Sequence, residues 1–321
     1  MSFDFRPYAA GDERAIIELS KLNFPTLNLT QEGWRWRYVE NPAGPAVIEL
    51  AWDGRRLVGH YALSLAKLTC GGEPLRAIQS MLTMTHPDYR GRGIFAAIAR
   101  SAYARAAADG IELLFGFPNR ASHSGFLRKL GWHTVYEIPM LRLPLARVPL
   151  PKLEGTVEGV RIFPRTVEML WNSLSPSFPF AIAKTAEYLN WRYTSYRYTK
   201  WVHFPSGARN HEPAGIDGVL VAKRYRAECQ VVCLLCKDAG VGWDLIRAVA
   251  FYYQKVFGVQ SVSLWQNPNS RLHCLLEKQG FANGDPVMYF GGLALRPGLA
   301  MPMAWQNYAN WRLEMGDNDV F

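Results

Sequence analysis

The chain opens on Phe3-Asp4-Phe5-Arg6-Pro7, where apolar and polar side chains alternate with the period of a half-buried strand. The period lengthens over residues 12–22, which predicts a helix with Asp12 placed to cap its amino end. An aromatic helix is expected over residues 30–40, stopped by Asn41-Pro42-Ala43-Gly44-Pro45. Two apolar runs, 47–52 and 56–68, flank Asp53-Gly54 and read as a hairpin. A further strand-like run, 75–86, closes at Pro87-Asp88. Residues 94–108 are alanine-rich and form a strong helix stopped by Asp109-Gly110, and Leu113-Leu114-Phe115-Gly116-Phe117 is a short strand.

The joint between the long strand and the alanine-rich helix is Tyr89-Arg90-Gly91-Arg92-Gly93-Ile94-Phe95. Glycines let backbone N–H groups face a phosphate with no Cβ in the way, the helix presents the positive end of its dipole, and arginines add charge. The segment therefore predicts a pyrophosphate cradle. A Walker A loop is excluded, because Ile94 and Phe95 stand where a Lys-Ser/Thr pair is required. The spacing Gly91-Arg92-Gly93-Ile94-Phe95-Ala96 does fit a dinucleotide fingerprint, with Glu112 about 20 residues on. That acid, however, opens the next strand instead of ending it, and the two arginines suit a ligand with more phosphate. A glycine turn with solvated arginines is the plain alternative.

The segment Phe117-Pro118-Asn119-Arg120-Ala121-Ser122-His123-Ser124-Gly125-Phe126-Leu127-Arg128-Lys129-Leu130-Gly131-Trp132 decides between them. Together with the loop, this segment resembles the GNAT acyltransferase superfamily. The resemblance implies an α/β (α+β) fold with a mixed, mainly antiparallel sheet flanked by helices. It also implies an N-acyltransferase that moves the acetyl group of acetyl-CoA, or the acyl group of another acyl-CoA, to a primary amine of a small molecule. On that resemblance Arg90, Gly91, Arg92, Gly93, Ile94 and Phe95 hold the pyrophosphate, Arg90 and Gly93 matching the first and second fixed positions of the family's loop. Leu82, Thr83 and Met84 offer backbone groups to the pantetheine arm, and Asn119 and Phe126 complete the cofactor site. Phe95 stands where most members have Gly or Ala, and Phe126 where many have a Tyr that protonates the departing thiolate.

The chain also repeats itself. Pro118-Asn119 returns 150 positions on as Pro268-Asn269, and Leu127 to Trp132 returns 149 positions on as Leu276-Glu277-Lys278-Gln279-Gly280-Phe281. Gly91-x-Gly93 likewise returns as Gly240-x-Gly242. A repeat of this length is a whole domain. Tandem GNAT folds are therefore expected: a catalytic domain over residues 1–145, a proline-spaced linker over 146–159, and a second GNAT-like domain over 160–321. The second copy has Asp238-Ala239-Gly240-Val241-Gly242, an acid and no arginine, where a pyrophosphate would meet repulsion. It reads as a degenerate copy that closes the acceptor pocket. The tandem arrangement resembles aminoglycoside acetyltransferases of the enhanced-intracellular-survival type and the tandem GNAT proteins that modify polysaccharides and amino sugars. An amino sugar or sugar nucleotide is the acceptor this implies. A noncatalytic tandem GNAT-like protein that binds a ligand or partner is the alternative, suggested by Phe126 and by the absence of any carboxylate over residues 77–85.

Composition narrows the rest. No run approaches 18 apolar residues and the amino terminus has no signal design, so a cytoplasmic protein without membrane insertion is expected. The net charge of +9 suits a polyanionic cofactor; the basic residues are scattered singly, so no nucleic-acid partner is expected. Five cysteines, Cys70, Cys229, Cys233, Cys236 and Cys274, are odd in number and show no paired disulfide framework. A regular strand would put Cys229 and Cys233 on one face and Cys236 on the other, so no metal site is predicted. Acyl transfer to an amine needs a base for the amine and a donor for the thiolate. His123, close to Asn119, is the leading candidate; Tyr136 and His60 follow. The tail acids Asp317 and Asp319 are candidates if the tail folds back over the first domain.

Overall fold

The computed structural model describes residues 3–147, 157–195, 197–205, 215–295 and 304–319. Two compact units result. One comprises Met1–Lys67, Leu75–Tyr136 and Tyr289–Ala300; the other comprises Leu68–Pro74, Glu137–Met288 and Met301–Phe321. No single cut in the chain yields these units, so their edges differ from the expected division at 145 and 160. Residues 148–156 of the expected linker lie outside the described residues.

The first unit begins with β1 (Asp4–Pro7), α1 (Glu13–Asn23), α2 (Gln31–Tyr38), β2 (Val47–Asp53) and β3 (Arg56–Cys70). It continues through β4 (Glu73–Thr85), α3 (Ile94–Ala108), β5 (Leu113–Gly116) and α4 (His123–Leu130). Its sheet runs β1-β2-β3-β4-β5 and gains residues 291–294, which pair antiparallel with β5. β4 and β5 are parallel, as a connection through a helix allows. Thr30 caps α2 by accepting from the Gly33 N–H at 3.1 Å. Asp12 precedes α1 as expected, but its carboxylate turns away to accept from Arg6 at 2.7 and 2.8 Å. One sheet face buries Ile16, Trp34 and Tyr38 from α1 and α2; the other buries Ile94, Ile98, Phe126 and Trp132. Gly59 of β3 lets α3 come close, since a Cβ there would stand 2.6 Å from Ile94 Cγ2.

The second unit holds most of β6 (His133–Pro144), then β7 (Val157–Val160), α5 (Thr166–Leu174), β8 (Phe180–Ile182), α6 (Ala186–Arg192), β9 (Tyr198–His203) and β10 (Gly218–Tyr225). After these come β11 (Glu228–Cys236), α7 (Ala239–Phe257), β12 (Ser261–Leu264), α8 (Arg271–Lys278), the first part of β13 (Ala282–Ala294), whose end belongs to the first unit, and β14 (Trp311–Arg312). Its sheet runs β6-β12-β11-β10-β9-β7, with β11 and β12 parallel and joined through a helix, and β14 also pairs in parallel with β8. The last β4 residue paired with β5 is Ser80, and the last β11 residue paired with β12 is Gln230, so the 150-residue period is built into the fold.

One expectation changes here. Against β10, Val231 pairs with Ala222 and Cys233 with Val221, leaving Val232 as an extra residue in β11. The bulge turns Cys236 onto the same α7-facing side as Cys229 and leaves Cys233 on the other. The three thiols are still divided, but not in the way a regular strand predicts. Among the described residues no helix is long and apolar enough to cross a membrane.

Candidate functional site

In the first unit, β4 and β5 part after the pair Ser80 and Gly116, and β4 alone continues to Thr85. Just past the parting, Leu82 takes φ +39°, a left-handed conformation that a branched side chain adopts only under constraint. The constraint is visible. The Leu82 carbonyl accepts from His60 Nδ1 at 2.9 Å, and a carbonyl cannot donate, so Nδ1 carries the proton. His60 is fully buried, and burial holds its pKa down to about 4, which keeps the ring neutral. Its Nε2 is buried without a hydrogen-bond partner. Leu82 and Thr83 are half-buried and Met84 is buried in the α1–α2 core.

Beyond β4 the chain makes one short turn and enters the loop. Gly91 and Gly93 have φ +79° and +80°, and a Cβ on either would meet nothing within 4 Å. The glycines are there for conformation, not for space. Gly93 is the N-cap of α3 and offers no side chain to it, so the first N–H groups of a 15-residue helix keep no internal partner. Arg90 and Arg92 are exposed on either side. Arg92 lies over the Tyr89 ring at 4.8 Å and donates to the Asp88 carbonyl at 3.0 Å; Arg90 donates to Asn23 Oδ1 at 3.2 Å. Ile94 is buried and Phe95 half-buried, its ring 5.3 Å from that of Phe126.

Past β5, Asn119 shapes the entry to α4: its Oδ1 accepts from the N–H groups of Ala121 and Ser122, each at 3.0 Å. His123 is the first residue of α4. Its Nε2 lies 2.6 Å from Thr134 Oγ1, and its ring stacks on Tyr289 at 3.8 Å, in a shallow recess that Leu127 also lines. Tyr136 is two residues beyond Thr134 on β6 and shares its face, half-buried. Phe126 is only 4% exposed and packs edge-on against Trp132, so a hydroxyl at its place would have to be buried. Asp317 belongs to the second unit, where its carboxylate pairs with Lys184, and both side chains are closed to solvent. That is an internal ion pair of the second unit. Asp319 is half-buried in the same segment.

A buried chain of polar groups went unnoticed in the sequence. Trp132 Nε1 donates to the Tyr103 hydroxyl at 2.9 Å, which lies 2.8 Å from the Tyr61 hydroxyl, itself 2.8 Å from Ser80 Oγ. The only hint is that His60 and Tyr61 interrupt an apolar strand.

Residues 4–135 match the family described as acetyltransferase (GNAT) domain. Over this part the chain is similar to a GNAT domain. Similar solved structures extend the likeness over both units. A conserved protein of Enterococcus faecalis V583, described as a probable N-acyltransferase, has a TM-score of 0.71 at 11% identity, covering 92% of this chain and 73% of that one. A tandem GNAT protein from the clavulanic acid biosynthesis pathway has a TM-score of 0.61 at 16% identity, covering 92% and 100%. Saccharomyces cerevisiae N-myristoyltransferase with bound myristoyl-CoA has a TM-score of 0.64 at 10% identity, covering 92% and 79%. At these identities the likeness is one of fold. No curated protein matches the chain.

The corresponding opening of the second unit, between β11 and β12, is filled by the chain's own tail. Arg312 donates to the Leu234 carbonyl, and Gly316 lies so close to β11 that a Cβ there would stand 2.7 Å from the Val232 oxygen. Asn267, just past β12, donates to the carbonyls of Tyr308 and Trp311 at 2.9 and 2.8 Å. Where the first copy has a glycine loop, Asp238 caps α7 by accepting from the Val241 N–H at 2.9 Å.

Proposed function

We propose that the protein is an acyl-CoA dependent N-acyltransferase, taking the acetyl group of acetyl-CoA to the amine of a small molecule such as an amino sugar. One observation carries this reading: within the part similar to a GNAT domain, two left-handed glycines and two exposed arginines stand at the uncapped amino end of α3, beside the parting of β4 and β5. The loop fits a pyrophosphate, because free N–H groups, open Cβ positions and guanidinium charge converge there. Arg90 to Phe95 bind the phosphates, the backbone of Leu82, Thr83 and Met84 takes the pantetheine arm, and Asn119 borders it. His123, half-buried with Nε2 on Thr134, is the titratable group proposed to relieve the acceptor amine of its proton. The second unit binds no acyl-CoA in this reading.

Calorimetric titration of acetyl-CoA into the full chain tests the donor site, with one site per chain expected. Thiol release against a panel of amino sugars, aminoglycosides and polyamines tests the transfer. His123→Ala is expected to lower turnover by roughly 10²-fold while coenzyme A affinity is kept. Binding of acetyl-CoA with no thiol release from any amine would favour the noncatalytic reading, which the carboxylate-free stretch 77–85 supports.

A further inference from the structure

We infer that Ser80 is the hydrogen-bond donor to the departing thiolate, and that Tyr61, Tyr103 and Trp132 are the positioning residues that aim its hydroxyl. The inference rests on the acyl-CoA reading of the loop. Direction comes from counting protons. An indole N–H only donates, so the Tyr103 oxygen accepts from Trp132. Tyr61 is fully buried and Tyr103 is 8% exposed, so each phenol proton needs an acceptor inside the protein. The arrangement that satisfies both runs from Tyr103 to Tyr61 and from Tyr61 to Ser80. Ser80 Oγ then accepts from Tyr61, and its own proton is left to point elsewhere. Burial pushes both phenols well above their ordinary range, so the chain supplies polarity and not a mobile proton.

Position supplies the rest. Ser80, half-buried, is the last β4 residue held to β5, at the vertex where the strands part. Opposite it is Gly116, where a Cβ would stand 3.3 Å from the Ser80 Cβ and 3.1 Å from Trp132 Cη2, so the vertex beside Ser80 stays free of a side chain. From Ser80 the five residues 81–85 run toward the glycine loop, roughly 17 Å at 3.3 Å per residue, a span that suits an extended pantetheine arm. Phosphates at the loop therefore put the sulfur at the Ser80 end. In the transfer the amine nitrogen attacks the thioester carbon, the C–N bond forms, and the C–S bond breaks with its electron pair on sulfur. The amine's proton passes to a base or water. Ser80 keeps its proton and shares it with the sulfur, stabilising charge where it develops.

The test needs no acceptor. Coenzyme A is bound to the full chain, its affinity is measured by calorimetry, and its thiol is titrated by ultraviolet thiolate absorbance against a desulfo-coenzyme A blank. In the unaltered protein the bound thiol should ionise about one pH unit lower than free coenzyme A. Ser80→Ala should abolish that shift with affinity changed by less than about threefold, Ser80→Thr should restore it, and Tyr61→Phe should give an intermediate value. Coenzyme A bound equally well with the same thiol titration in the unaltered protein and in Ser80→Ala overturns the inference and leaves the donor-site reading standing. Failure of the unaltered protein to bind coenzyme A overturns both.

Discussion

Gly91-Arg92-Gly93 and Gly240-Val241-Gly242 are the same pattern 149 positions apart, yet the two have glycine for different reasons. In the first, φ of +79° and +80° requires it, and the space around each Cβ is empty. In the second, both residues lie in the first turn of α7, and a Cβ on Gly242 would stand 2.9 Å from Cys236 Sγ. The first glycine pair shapes a loop; Gly242 of the second clears room for helix packing. The amino ends of the two helices differ in the same sense. That of α3 keeps its N–H groups free beside two arginines, while that of α7 is satisfied by Asp238. The strand irregularities also correspond, Leu82 in β4 and Val232 in β11, 150 positions apart. Beside Leu82 stands the buried His60; beside Val232 lies the tail. A duplicated fold keeps its opening only where its own side chains and termini do not fill it.

The largest effect should come from emptying the second opening. Asp317→Ala leaves Lys184 buried without its nearest carboxylate, and denaturant unfolding should show a loss of about 3–5 kcal/mol. A loss under about 1 kcal/mol would mean that the tail is not what holds that opening shut.

His60, which holds the first opening, should show itself through pH. Its folded pKa of about 4 lies below the unfolded value near 6.5, so the unfolded chain binds the proton more readily. This contribution to stability is therefore fully present above about pH 6.5 and is lost as pH falls toward 4, by roughly 3 kcal/mol in all. His60→Gln should flatten that part of the stability profile, and an unchanged slope would show that folding does not lower the His60 pKa.

Gly93→Asp should weaken coenzyme A binding at least about 100-fold in calorimetry, by straining the loop and placing an anion against the phosphates. Asp238→Ser, which removes the charge and keeps a cap, should gain no second site, because the tail fills the opening. Two sites in that variant would make charge alone the difference between the copies.

The smallest effect is Asp238→Ala, which removes the cap of α7 and should cost about 1 kcal/mol.

Much of this molecule was legible in one dimension. Alternation, helical period and turn residues placed β1, the hairpin of β2 and β3, α3 and β5 close to where they lie, because those signals are carried by neighbouring residues in the chain. The glycine loop was legible for the same reason: two left-handed residues and two arginines need only their neighbours. Other features depend on residues far apart in the chain. Whether Gly242 ends a loop or packs in a helix depends on Leu272; whether Asp317 is a solvated tail acid depends on Lys184, 133 positions away. The bulge that regroups the cysteines is set by pairing with β10, and the chain of hydroxyls ending at Ser80 joins β3, β4, α3 and Trp132. A sequence states which groups can donate, accept or carry charge. Their partners are fixed only when the chain folds, because a buried polar group takes whatever acceptor packing brings within about 3 Å.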